Sequence, residues 1–95
     1  MELNEKERRA VSMGPIVRMR VYEKKTRRPV FMGFFQPPHM VDATYFDKEE
    51  MLDPTRSDLP VMMKLVALGY FSPPEVGYDA DYMHYTWRAV TPPPR

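Results

Sequence analysis

The chain has 95 residues, of which 43% are hydrophobic and 28% charged, so it can form one small domain with a modest core and is too apolar for a disordered tail. Because it contains no cysteine, a disulfide scaffold, a thiolate metal site and a cysteine nucleophile are excluded. The net charge of +1 is unevenly placed, since residues 1–36 carry +5 and residues 37–95 carry −4. This asymmetry indicates either an anionic partner for the basic half or attraction between the two halves within the fold.

The amino terminus predicts a soluble intracellular protein, cytoplasmic by default. Residues 1–9 contain no apolar core of a secretory signal, and three glutamates argue against a cleaved organelle presequence. The longest apolar run, Leu59 to Leu68, is far shorter than the roughly 20 residues that a membrane-spanning helix requires. The sequence therefore predicts no membrane span.

Residues 1–14 are predicted to form an amino-terminal arm or short helix. Asn4 and Glu7 have the spacing of a capping box, in which each side chain accepts a hydrogen bond from the other residue's backbone N–H. Residues 15–91 are predicted to form a single small α+β domain, and residues 92–95 an extended proline-rich tail in polyproline II geometry.

Two strands joined by a basic turn are predicted next. Residues 16–22 alternate as a half-buried strand does, with Val21 on the apolar face and Tyr22 on the opposite face. Residues 29–35 are apolar on both faces, which indicates a strand covered on two sides. Because residues 23–28 between them are polar and mostly cationic, the sequence predicts a β-hairpin with a basic tip.

The main helix is predicted from Ser57 to Gly69. Ser57 or Asp58 can cap its first turn, and Pro60 is tolerated there because first-turn N–H groups lack helical partners. Gly69 suits a left-handed stop. Only Lys64 is charged between these signals, so we expect the helix to be covered on several sides.

Smaller elements surround the main helix. A short helical turn is predicted over residues 47–52, a loop over residues 75–81 and a strand over residues 82–90, in which alternation makes His84 an ordinary surface histidine. The predicted fold is α+β: a small antiparallel sheet of three to four strands, including the basic-tipped hairpin, packed on one main helix.

The order of elements after Met62, a helix closing on Leu-Gly-Tyr, a short strand, a loop and a returning strand, resembles the end of a winged-helix domain. The resemblance implies that residues 75–81 form the wing. A recognition helix presents Arg, Lys, Asn, Gln or Ser to base edges. The helix of this chain offers Lys64 and otherwise apolar side chains, and the segment in the place of the wing contains Asp79 and Asp81. The DNA contacts of winged-helix proteins are therefore not expected here.

The residue pattern predicts neither an enzyme nor a cofactor. Asp79-Ala80-Asp81 lacks the further ligands and the glycine of a calcium loop. The serines outside the helix cap lie in no recognisable nucleophile turn, and no Gly-rich loop is present to cradle phosphates. We therefore expect no catalytic residue, no metal site and no small-molecule substrate.

The predicted basic hairpin gives the sharper signal for a binding site. Residues 18–28 carry six positive charges against the single Glu23, with Tyr22 among them. Such a ribbon can reach phosphates in nucleic acid, and an aromatic neighbour can stack on an unpaired base. It can also meet an acidic protein surface, or remain solvated and protect the sheet edge from aggregation. The candidate residues for an anionic partner are Arg18, Arg20, Lys24, Lys25, Arg27 and Arg28.

The apolar helix and the strand that is apolar on both faces have more apolar surface than a domain of 95 residues readily buries. This excess predicts a protein interface. The expected function is a non-enzymatic protein–protein interaction module, an accessory subunit or adaptor of a larger assembly, whose partner is another protein or a second copy. The alternative is a small nucleic-acid-binding protein that uses the basic hairpin on RNA or single strands before duplex DNA. The candidate interface residues are Met62, Met63, Val66, Tyr70, Phe71, Phe31 and Phe35.

Overall fold

A computed structural model describes residues 2–30, 45 and 47–92, which form an α+β domain. Three antiparallel strands make a sheet in which the last strand along the chain lies between the other two. This confirms the prediction of a small antiparallel sheet with helices packed on it. The elements in chain order are α1 (Glu5–Ser12), β1 (Ile16–Glu23), α2 (Lys48–Met51), α3 (Leu59–Ala67), β2 (Glu75–Tyr78) and β3 (Tyr82–Arg88).

Helix α1 begins with the predicted capping box. The backbone N–H of Glu7 donates to Asn4 Oδ1 at 2.8 Å, and the backbone N–H of Asn4 donates to Glu7 Oε1 at 2.8 Å. Two N–H groups that would otherwise lack partners are thereby satisfied. Ala10, in the same helix, is fully buried in the core, so α1 is part of the packed domain.

Helix α3 has the predicted proline and glycine at its ends, although it begins at Leu59 and its N-cap residue Asp58 makes no side-chain capping hydrogen bond. The hydroxyl of Ser57 instead accepts a hydrogen bond from the N–H of Leu59 at 3.1 Å. Pro60 lies in the first turn. Gly69 has a φ of 86° in the left-handed region, and its N–H bonds to the carbonyl of Val66 at 3.0 Å. The N–H of Tyr70 bonds to the carbonyl of Leu65 at 2.9 Å. Together these two bonds form a Schellman motif, which satisfies carbonyls at the helix end.

The core lies between α1, α3 and one face of the sheet. Cross-strand pairs Val17–Trp87 and Met19–Tyr85 contribute the sheet side, and the rings of Tyr85 and Trp87 meet edge to face at 5.7 Å between centroids. Trp87 is 1% exposed. The buried cluster comprises Ala10, Val17, Met19, Val21, Leu59, Val61, Met62, Leu65, Phe71 and Trp87.

A bulge in strand β1 places Tyr22 on the face of the sheet opposite to the predicted one. Arg20 pairs with His84 and Tyr22 with Met83, so Val21 is the extra residue between these pairs. Simple alternation places Tyr22 on the polar face with Arg20. Because of the bulge, Tyr22 shares the core-side face with Met83 instead, and the strand twists more strongly at this point.

Strand β2 forms where the sequence predicts a loop. Its residues Val76 and Tyr78 pair with Tyr85 and Met83 of β3. The segment is four residues long and contains Gly77, so its own pattern is too weak to indicate a strand. The observed order in this part of the chain is α3, an isolated bridge between Phe71 and Ala89, and then the hairpin of β2 and β3.

The basic turn, defined here as residues 24–28, follows β1 as the hairpin prediction requires. The N–H of Arg27 donates to the carbonyl of Glu23 at 2.8 Å, and the N–H of Val30 bonds back to β1 at 3.1 Å. The remainder of the predicted second strand, including the candidate interface residues Phe31 and Phe35, lies outside the described residues.

Residues 93–95 of the predicted proline-rich tail also lie outside the described residues. Among the helices within the described ranges, none combines the length and the apolar character needed to cross a bilayer.

Candidate functional site

The basic turn is exposed and contains one strained residue. All of its cationic residues are exposed, and Arg27 has a φ of 57°. A side chain in this left-handed region costs roughly 1 kcal/mol or more, and for this reason such positions are usually occupied by glycine or asparagine. The hydroxyl of Thr26 donates to Glu23 Oε1 at 3.0 Å and helps to close the turn. The chain therefore keeps an arginine where glycine would be favoured.

Three tyrosine rings lie beside the cations of the turn and of β1. They come from distant parts of the sequence, and none of them is among the binding residues predicted from the sequence. A cation within about 6 Å of a ring centroid is attracted to the ring face. The pairs are Arg20 over Tyr82 at 4.6 Å, Lys24 over Tyr78 at 5.8 Å and Arg28 over Tyr45 at 4.9 Å.

The acidic side chain nearest the turn is engaged by hydroxyl groups. Glu23 accepts hydrogen bonds from the hydroxyls of Tyr45 and Thr26. These bonds, that from Tyr45 above all, lower the pKa of the Glu23 carboxyl, and the same contact raises the pKa of Tyr45. The positive charges of Lys25 and Arg28 favour the ionised carboxylate as well, but its hydrogen bonds come from the two hydroxyls.

The polar face of the sheet has a shallow depression of roughly 360 Å³ lined by Arg18, Arg20, Asp79 and His84. His84 is 8% exposed, so its interpretation as an ordinary surface histidine is wrong. Its Nε2 donates to Asp79 Oδ2 at 2.5 Å. Because β3 is the central strand and the β2–β3 turn folds over this face, both faces of β3 are partly covered.

Asp79 fixes the turn between β2 and β3. Its Oδ1 accepts hydrogen bonds from the backbone N–H groups of Asp81 at 2.8 Å and Tyr82 at 2.7 Å, while its Oδ2 accepts from His84. The His84 bond, followed by these two backbone bonds, holds the pKa of the Asp79 carboxyl well below its usual range. The Asp79 and His84 pair thus has a structural role in this turn.

A second depression, which we name the tyrosine groove, opens on the core-side face of the sheet beside the basic turn. It has a volume of roughly 460 Å³. Tyr78 is 66% exposed on its wall, and Tyr22 is partly buried, which raises its pKa. The groove is lined by Tyr22, Glu23, Lys24, Arg27, Lys48, Tyr78 and Met83.

The candidate protein-interface residues in the described part of the chain are divided between core and surface. Met62 and Phe71 are 0% and 2% exposed, so in the folded domain neither can contact a partner. Val66 and Tyr70 are partly buried against the same core. Met63 is 54% exposed and accessible. The structure therefore does not bring these residues together on one open surface.

The single cation of α3 is used within the fold. Lys64 Nζ lies 2.8 Å from Glu7 Oε2, and Glu7 is only 2% exposed. The hydrogen bond from Lys64 is the main cause that lowers the pKa of Glu7. The pair joins α3 to α1, so α3 does not present this cation to a ligand.

The arrangement is suited to binding anions, because exposed cations and ring faces are clustered at one end of the sheet. Among the described residues, no group of three or more His, Asp or Glu side chains is placed to hold a metal ion. The chain matches no protein-family model, none of the curated proteins and none of the solved structures with which it was compared. Its function is therefore inferred from this surface.

Proposed function

We propose that the chain is a small, non-enzymatic nucleic-acid-binding protein that binds RNA or single-stranded DNA in preference to duplex DNA. The observation that carries the proposal is Arg27, a cation held in a strained backbone conformation at the tip of an exposed basic turn. Strain of this kind clusters at functional sites. Lys25 and Arg27 form no ion pair with another described residue, and Lys25 interacts with the Glu23 carboxylate only at longer range, so both cations can reach phosphates.

The preference for single strands follows from the rings and from α3. Exposed rings such as that of Tyr78 can stack only on bases that are not enclosed in a duplex. Reading a duplex in its grooves requires polar or cationic side chains on the inserted element. The exposed residues of α3 include Met63 and Ala67, and its Lys64 is bound to Glu7.

The proposal is tested by fluorescence anisotropy with labelled single-stranded RNA and DNA of about 15 nucleotides and with a duplex of the same sequence. We expect single strands to bind more tightly than the duplex, and affinity to fall steeply between about 50 and 200 mM salt. The double variant Lys25→Gln, Arg27→Gln should bind much more weakly.

A matched control removes two exposed cations outside the turn. Arg9→Gln with Arg56→Gln makes the same change in net charge and should leave affinity nearly unchanged. An absence of salt-dependent binding to any polynucleotide would overturn the proposal, as would an equal loss of affinity in both double variants. Tighter binding to the duplex would contradict the preference for single strands.

The second candidate function is the protein–protein interaction module, favoured by the exposed apolar side chains of β2. Val76 and Tyr78 are 55% and 66% exposed, and β2 is an outer strand of the described sheet. Such an edge can accept a further strand from another chain. If this is the function, the purified chain should self-associate in sedimentation experiments and Val76→Lys should reduce that association. A monomer that persists at high concentration would count against it.

A further inference from the structure

We infer that the tyrosine groove holds one nucleotide of the bound strand, with its base against Tyr78 and an adjoining phosphate on Arg27 and Lys48. This inference rests on the proposed function and specifies where a base is held. Lys48 belongs to α2 and was not among the predicted binding residues.

The floor and wall of the groove form an apolar strip. Tyr22 pairs with Met83, and Met83 pairs with Tyr78, so the three side chains lie in one row across β1, β3 and β2 on the same face. Neighbouring strands are about 4.8 Å apart, which makes this row about 10 Å wide. A row of that width with an exposed tyrosine at one end matches the flat face of a nucleobase.

The rim of the groove supplies positive charge from two separate elements. Lys24 is fixed by a hydrogen bond from its Nζ to the carbonyl of Asp79 at 3.2 Å and lies over the Tyr78 ring. Arg27 and Lys48 form no ion pair with any other residue in the described ranges. Both can therefore contact a phosphate beside the base.

Glu23, the one acid among the described residues that line the groove, offsets only part of this charge. The Glu23 carboxylate accepts hydrogen bonds from two hydroxyls, those of Thr26 and Tyr45, so its oxygens are directed to these partners. Three cations and one carboxylate leave the lining with an excess of positive charge. Apolar ring surface and cationic rim thus occur side by side, as a nucleotide requires.

The depression on the polar face is less suited to a base. Among the residues described, its lining includes the Asp79 carboxylate and no tyrosine. The cation over the nearest ring, Tyr82, is also closer, at 4.6 Å, than the 5.8 Å between Lys24 and the ring of Tyr78. Arg18 and Arg20 can contact phosphates further along the strand, but the more exposed ring is Tyr78 in the groove.

The test uses the full chain and a single-stranded oligonucleotide that contains 5-iodouracil, with affinity measured by anisotropy and the cross-linked residue identified by mass spectrometry. We expect cross-links at Tyr78 or Tyr22. Tyr78→Ala should raise Kd by about 5- to 150-fold, the range that corresponds to one lost stacking contact, without changing the salt dependence. Lys48→Gln should weaken binding and lower the salt slope by about 0.7.

Two control variants separate loss of the ring from general damage. Val76→Ala lies on the same face of β2 and is similarly exposed, but it is outside the groove lining, so its Kd should stay within about twofold of the parent. Tyr78→Phe keeps the ring and should bind as the parent chain does.

The failures of the two proposals are distinguishable. If the parent chain binds single strands and the Lys25, Arg27 double variant does not, while Tyr78→Ala behaves like Val76→Ala and cross-links lie elsewhere, the groove inference is overturned and the proposed function stands. If the parent chain binds no polynucleotide, both are overturned.

Discussion

Charged side chains have opposite roles in two regions of the molecule. One region is the junction where α1 packs on α3, and the other is the basic turn. At the junction, Glu7 is 2% exposed and binds both Lys64 and the backbone of Asn4. At the turn, Arg27 is exposed, lies in left-handed backbone and forms no ion pair with another described residue. The first arrangement uses charge to join two helices, whereas the second leaves charge for a ligand.

A cavity made in the buried core should have the largest effect on stability. Trp87→Ala removes the largest fully buried side chain and should lower the free energy of unfolding by about 3–5 kcal/mol. Small domains have a total stability of roughly 5–15 kcal/mol, so much of the fold's stability should be lost. Urea unfolding followed by circular dichroism measures the change. A cost no greater than that of Val76→Ala on the surface would contradict the assignment of the core.

The buried charge at the junction should have the next largest effect. Glu7→Gln removes the ion pair with Lys64 and should cost about 1–3 kcal/mol, because a hydrogen-bonded buried carboxylate is lost. Glu5 pairs with Arg9 on the surface, where its side chain is 82% exposed, so Glu5→Gln should cost well under about 1 kcal/mol. Equal unfolding free energies for the two variants would show that the junction does not depend on this pair.

Low pH should destabilise the domain, because it protonates carboxylates that are hydrogen-bonded in the folded state. The pKa values of Glu7 and Asp79 are lowered in the folded state, so their contribution is complete above the unfolded pKa values of about 4 and is lost as pH falls further. The unfolding temperature should therefore drop below about pH 4. In Asp79→Asn this drop should be smaller. An identical pH profile for that variant and the parent chain would exclude Asp79 as a contributor.

A substitution at Arg27 should change stability least, but it distinguishes the basic turn from the α1–α3 junction most clearly. Arg27→Gly relieves left-handed strain and should raise the free energy of unfolding by up to about 1 kcal/mol, since the greater chain entropy of glycine offsets part of the gain. It should also weaken binding to single strands. Arg27→Ala removes the same charge but keeps the strain, so it should weaken binding without this gain. A destabilised Arg27→Gly variant with unchanged affinity would contradict both expectations.

Sequence patterns were sufficient where the structure depends on neighbouring residues. The capping box of Asn4 and Glu7, Pro60 in the first turn of α3 and the left-handed Gly69 are local features, and each occurs as predicted. All four cations of the turn are also among the residues predicted for an anionic partner, because they lie within five positions of the sequence. These features require no knowledge of how distant segments pack.

Other features depend on contacts between distant residues and could not be read from the sequence. β2 is a strand because β3 pairs with it, although Gly77 weakens its own pattern. His84 is buried because the turn at Asp79 folds over a face that alternation makes polar. Lys48 joins the groove from α2, across a wide gap in sequence.

The bulge at Val21 makes the pairing of β1 as important to the proposed site as the chemical types of its residues. If the same eight residues from Ile16 to Glu23 paired without the bulge, Val21 would lie opposite Met83 and Tyr22 would turn to the other face, outside the row with Met83. Deleting Val21 would remove the bulge and a core side chain that is 0% exposed, but it would leave Tyr22 opposite Met83. A redesigned or transplanted version of the turn must therefore preserve the pairing of Tyr22 with Met83.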